Sequence, residues 1–191
     1  MPPAEPSPLT HSPVHPLTDE RRDVVVIGAG LAGSSIAAAL AQRGWDVLLL
    51  ERDRFPRHKV CGEFLSPEAQ HSLANLGVLD DAAALAPTPL RGATVITAGG
   101  VRVEMALPAD AWGVSRYALD AGLAAAAARY GAEFWPAAAV TAVQRTDDGA
   151  TVHLRRGSRN QAIHTRSVLV ACGRHSAAAL PPRDTGGDKT G

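Results

Sequence analysis

The sequence predicts an α/β fold, a Rossmann-like parallel sheet into which an antiparallel β-meander is inserted. Three observations carry that prediction. The first is Asp23-Val-Val-Val-Ile-Gly28-Ala-Gly30-Leu-Ala-Gly33, an apolar stretch, then Asp46-Val-Leu-Leu-Leu-Glu51, which reads as strand, glycine loop, helix, strand, acid. The second is Ser167-Val-Leu-Val-Ala171, apolar enough for the buried centre of a parallel sheet. The third is the alternation of apolar and polar residues between Ala139 and Thr165, interrupted by Asp147-Asp148-Gly149 and Gly157-Ser158.

Taken in order, residues 1–22 are rich in proline, which blocks helix and ladder bonds, and are expected to form a disordered leader. The domain is expected over 23–176, with 177–191 a disordered tail. Gly28 permits a tight turn out of the first strand, Gly30 lets the backbone approach a pyrophosphate, and Gly33 lets the helix pack closely on the strand. Ala29 and Ala32 complete this cofactor loop, and the N–H groups at the helix start favour an anion. Glu51 is placed to accept hydrogen bonds from a ribose diol, with Arg52 beside it, so an adenine dinucleotide is expected. Val24–Ala41 is mostly apolar, but its glycines and serines split it into strand and helix rather than a membrane span.

A charged, proline-containing loop runs from Arg52 to Pro67. A helix then spans about Pro67–Leu76, with Ser66 as N-cap, Pro67 at its first position and Gly77 as its stop. Gly92–Thr97 and Val101–Ala106 read as a hairpin around Gly99-Gly100. Ser115 is the candidate N-cap of a long helix, Arg116–Tyr130, that stops at Gly131. Ala132–Trp135 reads as the next parallel strand. Ala139–Thr146, Ala150–Arg155 and Ala162–Thr165 form the meander, and Ser167–Ala171 returns to the parallel sheet.

The chain has 191 residues, with Lys+Arg and Asp+Glu both 19, so its formal charge is zero and gives no electrostatic argument for nucleic acid or an anionic membrane. The two cysteines, Cys61 and Cys172, have neither metal-ligand spacing nor a disulfide framework. The seven histidines form no HxxxH pattern, so no metal site is expected. With no apolar signal core at the N-terminus, a reducing cytoplasm is the expected setting.

Gly28-x-Gly30-x-x-Gly33 with Glu51, Pro56-Arg-His-Lys59-Val-Cys61-Gly62-Glu63-Phe-Leu-Ser66-Pro67, Val114-Ser-Arg116-Tyr-Ala-Leu-Asp120, and Val170-Ala-Cys172-Gly173-Arg-His-Ser176 together resemble the FAD-dependent oxidoreductases of the geranylgeranyl reductase and aromatic hydroxylase group. The Lys59 to Pro67 segment resembles the reductase branch; the others are shared with flavin monooxygenases and halogenases. The resemblance implies FAD as cofactor, with NADPH or NADH as a possible electron donor and a small apolar or aromatic substrate. It places Glu51 on the adenosine ribose, the backbone near Val140 against the adenine, and Arg116 at the FAD phosphates or ribityl chain. Lys59, Cys61, Gly62 and Gly173 fall beside the flavin ring and ribityl.

Cys61 is the candidate catalytic residue by the same resemblance, with a small packing residue as the alternative. Lys59 and Arg57 would stabilise a Cys61 thiolate if they lay near it. Cys172 stands where the hydroxylases have Asp, which removes one acceptor. Arg116, in the first turn of a helix, opposes the helix dipole and suggests a compensating anion. The resembling enzymes continue into a substrate-binding sheet and a further Gly-Asp motif. Gly187-Asp188 has no strand before it, so a truncated amino-terminal portion, able to associate with a missing carboxy-terminal half and inactive alone, is expected. The alternative is an inactive remnant or a stand-alone dinucleotide-binding module.

Overall fold

The computed structural model describes residues 21–173. Residues 1–20 of the expected leader, the last three residues of the expected domain (174–176), the expected tail and the Gly187-Asp188 pair lie outside the described residues; Arg22, expected in the leader, instead pairs with Thr165 as the first residue of the first strand.

The chain opens as β1 (Arg22–Ile27), α1 (Leu31–Ala41) and β2 (Val47–Leu50). From Val24 to Ile27 in β1 and throughout β2 every residue is apolar and buried, because both faces are covered there. Val24, Val26, Val47 and Leu49 pack against the helices, while Val25, Ile27, Leu48 and Leu50 pack on the opposite face against Val152, Leu154 and Ile163. Fully buried parallel strands need such unbroken runs, where a one-sided sheet would alternate.

Next come β3 (Phe64–Leu65), α2 (Pro67–Asn75) and α3 (Leu79–Ala83). Ser66 caps α2 by accepting from the Ala69 N–H at 3.3 Å, and Gly77, at φ +73°, ends the turn after it. The strands β4 (Thr88–Ile96) and β5 (Arg102–Gly113) form the expected hairpin but extend beyond its expected ends. With β3 they make a separate sheet in the order β3-β5-β4. The register jumps, so that Leu90 faces Ala111 and Gly92 faces Ala106, leaving Leu107–Asp110 against Arg91 alone. Pro108 falls inside this irregularity, where no ladder donor is required.

The helix α4 (Arg116–Arg129) starts at Ser115, whose hydroxyl accepts from the Ala118 N–H at 3.2 Å. It packs against α1, and the strand β6 (Glu133–Trp135) then joins the sheet beside β2. The strands β7 (Ala138–Thr146), β8 (Gly149–Arg156) and β9 (Arg159–Val170) complete the order β6-β2-β1-β9-β8-β7. The segments Ala162–Thr165 and Ser167–Ala171, expected as two strands, are parts of the single strand β9. Its first half pairs antiparallel with β8 and its second half parallel with β1, and Thr165 stands opposite both Ala150 and Arg22. That change of partner lets the meander return to the parallel sheet without a loop.

Candidate functional site

The carboxyl ends of β1, β2 and β9 meet the N-terminus of α1, and the glycine loop fills the junction. Gly28 has φ +103°, and a Cβ there would lie 2.8 Å from the Ala171 carbonyl oxygen. A Cβ on Gly33 would lie 1.8 Å from the Gly28 carbonyl oxygen, so the entry of α1 rests directly on the loop. Gly30 differs from both. Its φ of −77° suits any residue, and the nearest atom to a Cβ built on it is Arg116 Nη2 at 3.6 Å, ordinary contact. The chain's own packing thus fixes two of the glycines and leaves space above the third. Gly30 is also the N-cap of α1, where no side chain caps the helix and no acid occupies the first turn. The N–H groups of that first turn face this space with the positive end of the helix dipole.

Glu51 leaves β2 directly below the loop and is buried. Its Oε2 accepts from the Ala29 N–H at 3.0 Å and from Arg57 at 3.2 Å, and its Oε1 accepts from the Asp53 N–H at 3.0 Å. A carboxylate offers roughly four acceptor sites, so these bonds leave about one for an incoming hydroxyl. The Ala29 N–H is thereby engaged within the protein. Ala32 is exposed at the start of α1.

Behind Glu51 runs a buried chain of charges. Arg57 reaches from Glu51 to Asp120, donating at 3.3 Å, and its Nε lies 3.4 Å from the Asp53 carboxylate. Asp120, with no exposed surface, receives a two-pronged bond from Arg116 at 2.7 and 2.8 Å. These bonds hold the Arg116 guanidinium above its usual pKa; burial opposes them and a bond to Cys61 adds to them. Within the chain, an anion that compensates Arg116 at the start of α4 is Asp120, one helical turn on.

Cys61 is exposed, and its cationic neighbour is Arg116. Arg57, expected as a thiolate partner, is committed to carboxylates instead. Lys59 is exposed, with Nζ 3.6 Å from where a Gly173 Cβ would sit, so the loop after β2 meets the end of β9 there. Gly62 is exposed, with open space where a Cβ would stand, and Arg52 is exposed with its Nε 3.8 Å from the Asp53 carboxylate. Val140 packs into the second core beside Trp135 and Val143, on the strand whose first residue, Ala138, donates its N–H to the Glu51 carbonyl. The structure thus brings Gly28, Ala29, Gly30, Gly33, Glu51, Arg116 and Cys61 to one end of the sheet, with Lys59 and Gly173 together beside them.

Sequence reasoning assigned no role to Asp120 and considered Arg57 only as a partner of Cys61, not as the link between Glu51 and Asp120. Asp120 left a signal, since it shares the core-facing side of α4 with Leu119 and Leu123, where a carboxylate demands a partner. Arg57 left none, because its loop has no periodicity. Among the described residues no cluster of His, Cys, Asp and Glu could hold a metal ion, and no helix is long and apolar enough to cross a membrane.

The family described as FAD binding domain matches residues 21–183. The chain is 36% identical to the menaquinone reductase of Mycolicibacterium smegmatis over 68% of its own length and 32% of that protein. It is 31% identical to digeranylgeranylglycerophospholipid reductase 2 of Methanosphaera stadtmanae, covering 81% of this chain and 40% of that one. Among solved structures, the myxobacterial chondrochloren halogenase CndH superposes with a TM-score of 0.73 at 29% identity, over 84% of this chain and 39% of the halogenase. The chain therefore spans about a third to two fifths of these relatives.

Proposed function

The chain belongs to the FAD binding domain family, and from that premise we propose that it is the FAD-binding portion of an oxidoreductase of the reductase or monooxygenase type. The observation that carries the site assignment is the contrast among the glycines. Gly28 and Gly33 are required by the protein's own contacts, whereas a Cβ on Gly30 would meet the protein only at ordinary contact distance. A glycine there is accounted for by a ligand whose pyrophosphate must meet the backbone.

The residues present fit FAD. The first-turn N–H groups of α1 and the Arg116 guanidinium would hold the pyrophosphate, and the free acceptor site of Glu51 would take a ribose hydroxyl. The backbone near Val140 would lie along the adenine. Lys59, Cys61, Gly62 and Gly173 would border the ring and ribityl, and Arg52 would stand at the solvent side of the ribose. When bound, FAD supplies transfer of hydride or electrons between a donor and a substrate or oxygen. The part of the protein shown here holds and orients that group. Two relatives are named for menaquinone and for a digeranylgeranylglycerophospholipid, both lipids, and this supports an apolar small-molecule substrate. NADPH or NADH is the donor in this reading and the cytoplasm its compartment. The exposed apolar face of β4 and β5 is where further polypeptide, of the kind the longer relatives possess, would pack.

The test is a titration of the purified chain with FAD, ADP and FMN, followed by protein fluorescence to millimolar ligand. Binding of FAD and of ADP, each displacing the other, with FMN much weaker, is expected because the site holds the adenosine diphosphate half. FMN binding as well as FAD, or no binding of FAD and ADP, would contradict the assignment.

A further inference from the structure

Asp120 is the most deeply buried charge near the loop, and the capping of α4 does not explain it. The capping of that helix is already satisfied by Ser115. A fully buried carboxylate is costly unless several donors surround it. Here both donors are arginines that lead outward to the candidate site. Arg116 approaches the space above Gly30, and Arg57 ends on the ribose-facing carboxylate of Glu51. The side chains of Glu51, Arg57, Asp120 and Arg116 are respectively 6, 14, 0 and 16% exposed, so the two carboxylates of the chain Glu51–Arg57–Asp120–Arg116 are buried and its two guanidiniums largely so.

We propose that Asp120 is a positioning residue that fixes Arg116 against the phosphate loop and, through Arg57, ties it to Glu51. One buried ionic chain then sets the spacing between the pyrophosphate and ribose contacts. The proposal rests on the dinucleotide reading given above. Its geometric basis is the forked Arg116–Asp120 pair. A guanidinium gripped by two bonds from a carboxylate has one orientation, and its remaining N–H groups point in a fixed direction. Each arginine of the chain lies against a carboxylate, Arg57 against the half-exposed Asp53 as well, so Arg116 adds a directed donor without leaving an unpaired buried charge.

The experiment compares ADP with adenosine, which differ by the pyrophosphate alone. In the unsubstituted chain ADP binds more tightly than adenosine. In Asp120→Asn that preference falls by about 10-fold or more, the worth of one misdirected charged hydrogen bond. A purely structural role would weaken both ligands alike and leave their ratio unchanged. Arg116→Lys keeps the cation and Asp120's counter-charge but loses the fork. It should lose a similar part of the preference, and it serves where Asp120→Asn does not fold. In the Asp120→Asn/Arg116→Lys double variant the losses should not add, since Asp120 acts through Arg116. An unchanged ADP-to-adenosine ratio in these variants, with the parent chain binding ADP, overturns the positioning role alone. A parent chain that binds neither FAD nor ADP overturns the dinucleotide reading and this inference with it.

Discussion

The two sheets of this molecule treat apolar residues in opposite ways. In the six-stranded sheet, Val25, Val26, Val47, Leu48 and Leu49 have no exposed surface, enclosed between the helices and the curled meander. In the three-stranded sheet, Val95, Val103 and Met105 are about half exposed, although they line one face of the β4–β5 ribbon through the pairs Ala93–Met105 and Val95–Val103. Both sheets are well paired in their ladders, so hydrogen bonding does not distinguish them. The difference is burial. The nucleotide half carries its own core, and the ribbon presents an apolar face that nothing among the described residues covers. The second sheet reaches that core only at its β3 end, where Leu65 is buried in the same cluster as Ala29 and Trp112 packs against it.

The sharpest way to break this comparison is to add one methyl to each region. Gly33→Ala should destabilise the chain by on the order of 3 kcal/mol or more, because the new Cβ would meet backbone at 1.8 Å and neither strand nor helix can give way. Gly99→Ala, in the ribbon, meets nothing nearer than Thr97 Oγ1 at 3.9 Å and should change stability by less than about 0.5 kcal/mol. Chemical denaturation measures both, and similar losses at the two positions would dissolve the distinction. A smaller effect is expected at the start of α4. Ser115→Ala removes the acceptor for the Ala118 N–H and should cost about 1 kcal/mol. It should also disturb ADP binding through the adjacent Arg116.

The smallest expected effect on stability comes from polar substitution on the ribbon. Val103→Thr together with Met105→Thr should alter the unfolding free energy by less than about 1 kcal/mol, since both residues are already about half exposed. It should reduce self-association measured by sedimentation, because exposed apolar strands are sticky. A loss of stability comparable to that of Gly33→Ala would show the face to be buried after all.

How much of this was legible in the sequence follows the same division. The strand-loop-helix-strand unit, both serine caps and the meander turns are local patterns, and each was read with its ends nearly in place. The elements that were missed depend on distant partners. Phe64–Leu65 is a strand only because Gly113 and Trp112 lie beside it. Leu79–Ala83 is too short for periodicity to show. The continuity of β9 through Arg166 was hidden because a strand that changes partners keeps the same alternation. In the site, the glycines and Glu51 announce themselves by spacing. The Arg57–Asp120–Arg116 chain joins three segments, and only the buried side of α4 hinted at it.

On the proposed reading Gly30, unlike Gly28 and Gly33, is kept small by a ligand and not by the protein's own contacts. Gly30→Ala tests it most directly, with thermal melting and FAD titration on the same sample. The melting temperature should stay within about 2 °C of the parent, since the added Cβ finds only Arg116 Nη2 at 3.6 Å, while FAD affinity falls by about 10-fold or more. Unchanged FAD affinity in the substituted chain, or a melting loss as large as that of Gly33→Ala, would contradict the account.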